Sequence, residues 1–171
     1  MNLEFIAENA KKGDFYSILL LKQFSKEFNH FADKILENIY FDGNKENAVG
    51  KIYLREGITE IKSDEFRYCE KLEKIILPKS LISIGNFAFC GCKALKEIIF
   101  PENLNSIGYS AFYDCNSLEK INLPENLNYI GEGAFYKCSR LKKIIYHRST
   151  EKILKKYFGF KWNDFEKIVI D

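Results

Sequence analysis

Residues 84–106 read IGNFAFCGCKALKEIIFPENLNS, residues 107–129 read IGYSAFYDCNSLEKINLPENLNY, and residues 130–145 begin again with IGEGAFYKCSRLKKII. The period is 23 residues. Phe66, Phe89, Phe112 and Phe135 keep it, as do Cys69, Cys92, Cys115 and Cys138. Leu72, Leu95, Leu118 and Leu141 follow the same step, and so do Ile75, Ile98, Ile121 and Ile144, with Pro78, Pro101 and Pro124 behind them. No insertion interrupts the four repeats. Self-similarity at such a period marks a stacked-coil architecture, in which each coil exposes an apolar face that only its neighbours can cover. Identical side chains then stack as interior ladders.

Within one repeat, the segment ending LxxIxL before proline reads as a short strand, because side chains alternate between two faces with a period of two. Ile98 and Phe100 are expected inside, and Glu97 and Ile99 outside. Proline has no N–H to give to a strand ladder, so the strand ends there. The following LxxIG crosses an edge, with Gly85, Gly108 and Gly131 allowing a tight bend. The AF pair is expected in a short helical turn, with Phe filling the core.

These residues resemble the leucine-rich repeats, and most closely the BspA-like class of 23-residue repeats, with its CxxLxxIxLPxxLxxIGxxAFxx pattern. The match runs from about Lys51 to Thr150. The resemblance implies an α/β fold, a right-handed solenoid with a parallel sheet on its concave side. It also implies a binding module, since many members of the class are surface adhesins of bacteria and protists.

On either side the pattern changes. Residues 1–45 are expected to form an N-terminal helical cap. Leu3, Ile6, Ala7 and Ala10 have helical spacing, Asp14 can cap a helix carrying Phe15, Ile18 and Leu19, and Ser25 can cap one carrying Phe28, Phe31, Ile35 and Ile39. A helical partner-binding module is the alternative use of the same segment. Residues 46–148 hold about four coils, the first of them incomplete at KIYLREGITE. Residues 149–171 read as a C-terminal cap. Ser149 or Thr150 opens a helix with Ile153, Leu154, Tyr157 and Phe158, Gly159 closes it, and EKIVI adds a strand. Aligning Val169 with Ile145 makes this last coil 24 residues long, one more than the period.

Composition narrows the function. The chain has 171 residues, 46% hydrophobic and 15% aromatic, which is ample for a core. A net charge of +2, carried on 22 Lys and only 4 Arg, argues against direct nucleic-acid binding. No apolar run reaches the length of a membrane span, and FYSILLL lacks the flanks of a secretion signal. A cytoplasmic chain with reduced cysteines is expected. Cysteines in a row about 5 Å apart cannot enclose a tetrahedral metal, so they read as small buried hydrophobes. Cys90 lies outside the row and is expected nearer the surface. Neither His30 nor His147 has a catalytic partner at motif spacing, and no phosphate-binding loop is present. The expectation is therefore a non-enzyme without cofactor or metal.

What remains is surface. The outward strand positions form one column of Tyr53, Ile76, Ile99, Asn122, Ile145 and Val169, and a second of Lys51, Lys74, Glu97, Lys120, Lys143 and Lys167. An apolar stripe beside a basic one describes a protein-binding face. Its expected residues are Tyr53, Ile76, Ile99, Asn122 and Ile145, with Lys74, Lys120 and Lys143. Residues 137–161 also carry nine cations against one acid, a local +8 in a chain of +2. The expected partner is a protein, acidic or itself bound to nucleic acid, met by a monomer. A binding module, a small intracellular inhibitor of a host or defence enzyme (as phage anti-defence proteins are), and a secreted adhesin would all use this face.

Overall fold

The structure is a computed structural model and describes residues 48–170. The helices expected within residues 1–45 lie outside the described residues. The unit that begins at Ala48 contains two parallel sheets on different sides of the coil. The six-stranded sheet has the order β1 (Gly50–Tyr53), β3 (Leu72–Ile76), β5 (Glu97–Ile99), β7 (Lys120–Leu123), β9 (Lys143–His147), β10 (Glu166–Ile170). The second sheet, of two-residue strands, runs β2 (Glu60–Ile61), β4 (Ser83–Ile84), β6 (Ser106–Ile107), β8 (Tyr129–Ile130). The LxxIG segments, expected only to cross an edge, are thus strands of their own. Their glycines are needed for closeness and not for a bend. A Cβ on Gly108 would lie 2.6 Å from the Gly85 carbonyl carbon and 2.7 Å from the Asn86 nitrogen, so the coils touch backbone to backbone there.

The third side corrects a second expectation. The AF segments are turns and not helices. Every other N–H crosses to the next coil: Phe87, Phe89 and Gly91 donate to the carbonyls of Tyr109, Ala111 and Tyr113, and Ser110, Phe112 and Asp114 to those of Glu132, Ala134 and Tyr136. The intervening N–H groups close turns within the coil, as Cys90 does to Phe87 and Cys92 to Phe89. Alternation of this kind requires two left-handed residues per coil. Asp64, Phe87, Ser110 and Gly133 hold one position, and Tyr68, Gly91, Asp114 and Lys137 the other, at φ between 49° and 74°. Only two of the eight are glycine, so the inter-coil bonds offset a left-handed cost on the order of 1 kcal/mol at each other residue.

Between the three sides lies the core. Phe66, Phe89 and Phe112 are fully buried and Phe135 nearly so. Their rings stack with centroids 5.1, 5.1 and 5.3 Å apart and planes within 8°. The ladders of Leu72, Leu95, Leu118 and Leu141 and of Ile75, Ile98, Ile121 and Ile144 are buried as expected. The cysteines do more than fill space. The thiols of Cys92, Cys115 and Cys138 donate to the carbonyls of Phe66, Phe89 and Phe112 at 3.1, 3.2 and 3.1 Å, each as a second donor to an oxygen that already closes a turn in its own coil. Cys90, expected near the surface, is buried at 5% exposure, and Cys138 is the half-buried member of the set. None of the five cysteines is in a disulfide.

The C-terminal end closes the stack with a helix, α1 (Glu151–Phe158), as expected. A short 3-10 turn, Arg148–Thr150, precedes it. The turn is capped by His147, whose ring accepts from the Ser149 N–H, while the buried Thr150 hydroxyl donates back to the His147 carbonyl at 2.8 Å. Leu154 is fully buried, and Trp162 meets Tyr146 edge to face at 5.3 Å. Phe158 stands one period after Phe135 and stacks on it at 6.4 Å, so the phenylalanine ladder continues into the helix. The last coil has no extra residue. β10 pairs Glu166 with Lys143 and Ile168 with Ile145, each 23 apart, and Val169 faces Tyr146 instead of Ile145. The chemistry of the final strand misled the alignment: IVI offers three apolar residues in a row, and only the ladder shows which one continues the column.

Candidate binding face

The outward side of the six-stranded sheet is built by strand alternation. Where Ile75, Ile98, Ile121 and Ile144 point into the core, the next residues point away. Register places Ile76, Ile99, Asn122, Ile145 and Ile168 on this side, with Ile99, Asn122, Ile145 and Ile168 paired in succession across adjacent strands. Ile99 is 53% exposed in mid-sheet and Ile168 40%, while Ile76, Asn122 and Ile145 are half-buried. Tyr53, expected at the head of this row, is buried at 8% exposure, with the Lys51 ammonium 4.9 Å over its ring, and adds nothing to the exposed stripe. Val169 leaves the row for the reason given above and Ile168 replaces it. Inside the row the carbonyl oxygen of the Asn122 side chain is buried without a hydrogen-bond partner among the described residues.

The charged column is less basic than expected. Register gives Lys51, Lys74, Glu97, Lys120, Lys143 and Glu166, since Lys167 pairs with Ile144. Glu97 lies between two lysines, 3.4 Å from the Lys74 ammonium and 3.1 Å from that of Lys120, and Lys143 meets Glu166 at 2.8 Å. The Lys120 ammonium first, and Lys74 after it, hold the Glu97 carboxyl below its ordinary value against the upward pull of partial burial. The sequence carried the signal for this partial neutralisation, because acids recur at 97 and at 166 in a column of lysines, and strands one period apart are hydrogen-bonded neighbours.

At the start of these strands the charges do not cancel. Lys120, Arg140, Lys142 and Lys143, with Glu119, line a shallow pocket of about 540 Å³. A larger cavity of about 790 Å³ lies against α1, where Ile130, Phe135, Tyr157 and Phe158 supply apolar lining. Among the described residues no group of three or more His, Cys, Asp or Glu side chains could hold a metal. No described helix is long and apolar enough to cross a membrane.

Two parallel sheets joined by interlocking turns, with a leucine and an isoleucine ladder behind the longer sheet, define a leucine-rich-repeat solenoid. The model of the BspA-type leucine-rich repeat region matches residues 59–171 in six copies, and the chain belongs to that family. Solved structures agree. A leucine-rich repeat protein from Bacteroides ovatus is 30% identical, with a TM-score of 0.61 over 71% of this chain and 30% of its own. A leucine-rich repeat protein of T. pallidum is 28% identical, with a TM-score of 0.51 over 58% of this chain and 59% of its own. The pneumococcal vaccine antigen PcpA, 23% identical, shares the fold at a TM-score of 0.58 over 77% of this chain and 38% of its own. The chain thus spans less than two thirds of the length of each of these structures. A comparison with curated proteins found no match.

Proposed function

We propose that this chain is a non-enzymatic protein-binding module that takes its partner on the outward face of the six-stranded sheet. The contact set is Ile76, Ile99, Asn122 and Ile145, extended by Ile168 and bordered by Lys74, Lys120 and Lys143. One observation carries this reading: a row of isoleucines stands outward across adjacent strands, and its central member, Ile99, is 53% exposed. The fold leaves that surface to water, although burying an isoleucine side chain is worth roughly 1.5–3 kcal/mol. The neighbouring column is partly neutralised by Glu97 and Glu166, which favours a face that recognises its partner by shape and apolar contact, with the remaining positive charge setting approach and orientation.

The test begins with a photo-crosslinking amino acid at Ile99 and another at Tyr129, an exposed residue of the second sheet. In extract of the source cell the first should capture a protein and the second should not. With that protein in hand, Ile99→Asp should weaken binding by about 2 kcal/mol or more, as expected for a desolvated anchor, at an unchanged melting temperature. Normal binding by a folded Ile99→Asp variant would remove this face from the proposal. The captured protein also decides the module's use. An enzyme whose active site becomes covered would make it an inhibitor, and a surface molecule of another cell would make it an adhesin.

A further inference from the structure

Two cations on the earlier coils of the solenoid edge have acids set against them at the coil spacing. Lys93 reaches Glu70 at 2.7 Å and Lys96 reaches Glu73 at 2.8 Å, each pair 23 residues apart. Two coils further on the same edge is left positive. Lys142 stands at the repeat position of Lys96 and Glu119 at that of Glu73, yet the two side chains form no ion pair, and Arg140 has none either. With Lys120 and Lys143 these cations surround the 540 Å³ pocket, so four positive groups face one carboxylate. Lys120 and Lys143 are each held by one acid, Glu97 and Glu166, and their far sides still line the pocket. The pocket is continuous with the proposed binding face, because Lys120 and Lys143 lie on the same strands as Asn122 and Ile145.

We propose that this pocket seats a carboxylate-rich segment of the protein partner, with Arg140 and Lys142 as its principal contacts. The inference rests on the binding-module reading and adds the chemistry of one part of the partner. An aspartate or glutamate side chain suits it in two ways. The Arg140 guanidinium can meet a carboxylate through two parallel N–H donors, and Lys142 supplies a point charge beside it. A nucleic-acid strand suits it less. The pocket holds one arginine, contains Glu119, and has no aromatic residue on which a base could stack.

The full chain is titrated against fluorescein-labelled octaglutamate, with octaserine as the neutral control, and followed by anisotropy. Octaglutamate should bind, octaserine should not, and added salt should weaken the binding. An Arg140→Gln/Lys142→Gln variant should lose about tenfold in affinity. A Lys93→Gln/Lys96→Gln variant, which removes the same charge from paired positions, should stay within about twofold. Equal losses in the two variants, or none in the first, would overturn the pocket. So would tighter, Arg140- and Lys142-dependent binding of octauridylate or of a phosphoserine peptide, which would assign a phosphate ligand instead. Ile99→Asp separates this inference from the reading beneath it. If Ile99→Asp loses the partner protein while Arg140→Gln/Lys142→Gln binds it normally, the sheet face stands and the pocket falls.

Discussion

The phenolic oxygen of Tyr157 accepts a hydrogen bond from the backbone N–H of Phe135 at 3.0 Å. In the earlier coils the equivalent N–H groups, of Phe66, Phe89 and Phe112, donate to the carbonyls of Ala88, Ala111 and Ala134. Tyr157 falls one period after Ala134, so a side-chain oxygen from α1 takes the place of the carbonyl that a further coil would bring.

That bond gives the first prediction. Tyr157→Phe leaves the Phe135 N–H without its acceptor and should cost about 1 kcal/mol in chemical denaturation. Burial pushes the Tyr157 phenol up from 10.0 to about 12, the bond from Phe135 opposing it only in part. The folded state therefore holds this proton more tightly than the unfolded chain does. The associated stability is complete below pH 10 and is lost as pH rises towards 12. Tyr157→Phe should flatten that part of the alkaline decline, and an unchanged pH profile would show that Tyr157 is not the group responsible.

Phe112 is fully buried, with Phe89 stacked on one side and Phe135 on the other. Phe112→Ala should cost about 3–5 kcal/mol, because the rings on either side are held by their own coils and cannot close the gap. Equilibrium unfolding measures it, and a loss under about 0.5 kcal/mol would place the ring outside the core.

Gly108 is constrained by neighbouring backbone. Gly108→Ala puts a methyl group against the Gly85 carbonyl carbon and the Asn86 nitrogen, and neither belongs to a flexible side chain. Overpacking of this kind should cost about 1–3 kcal/mol. A neutral result would mean that the coils can separate locally at no cost.

Thiol reactivity should follow exposure and hydrogen bonding. Cys138 is half-buried and should react first with a thiol reagent. Cys115 should remain protected until global unfolding, since burial pushes its thiol well above the usual range. Mass spectrometry of a labelling time course gives the order directly.

Asn122 separates stability from binding. Its side-chain oxygen is buried between Ile99 and Ile145 and unpartnered among the described residues. Asn122→Ile would continue the row and should raise stability by about 1 kcal/mol. If Asn122 serves the interface, the same variant should bind the partner less well although it melts higher.

The ladders explain why so much of this fold was legible. A side chain that repeats every 23 residues without insertion must meet its own copies, so Phe, Cys, Leu and Ile named the core before any strand was located. What was missed depends on backbone geometry. The left-handed residues at the turns include Phe87, Tyr68 and Lys137, whose side chains give no sign of that conformation. The thiols of Cys92, Cys115 and Cys138 were read as apolar fillers because the carbonyls they reach belong to phenylalanines 26 positions earlier. On the binding face, the sequence pattern puts Ile76, Ile99 and Ile145 on the outward side, where they stand, and gives the second column Glu97 but not Glu166. Glu166 was hidden by the displaced register of the last strand, and the reach of Glu97 to both Lys74 and Lys120 depends on side-chain positions that the pattern does not give.

Each coil is joined to the next by hydrogen bonds on three sides, all directed along the stack, and no described side chain is disulfide-bonded across it. Tension along the stack therefore loads the bonds of one interface together and successive interfaces in series. A chain pulled this way would give up its coils singly from an end, each rupture lengthening the tether by one coil while the remainder stayed folded. A partner spread over several strands would clamp those interfaces together, so occupancy of the binding face would be felt as mechanical resistance.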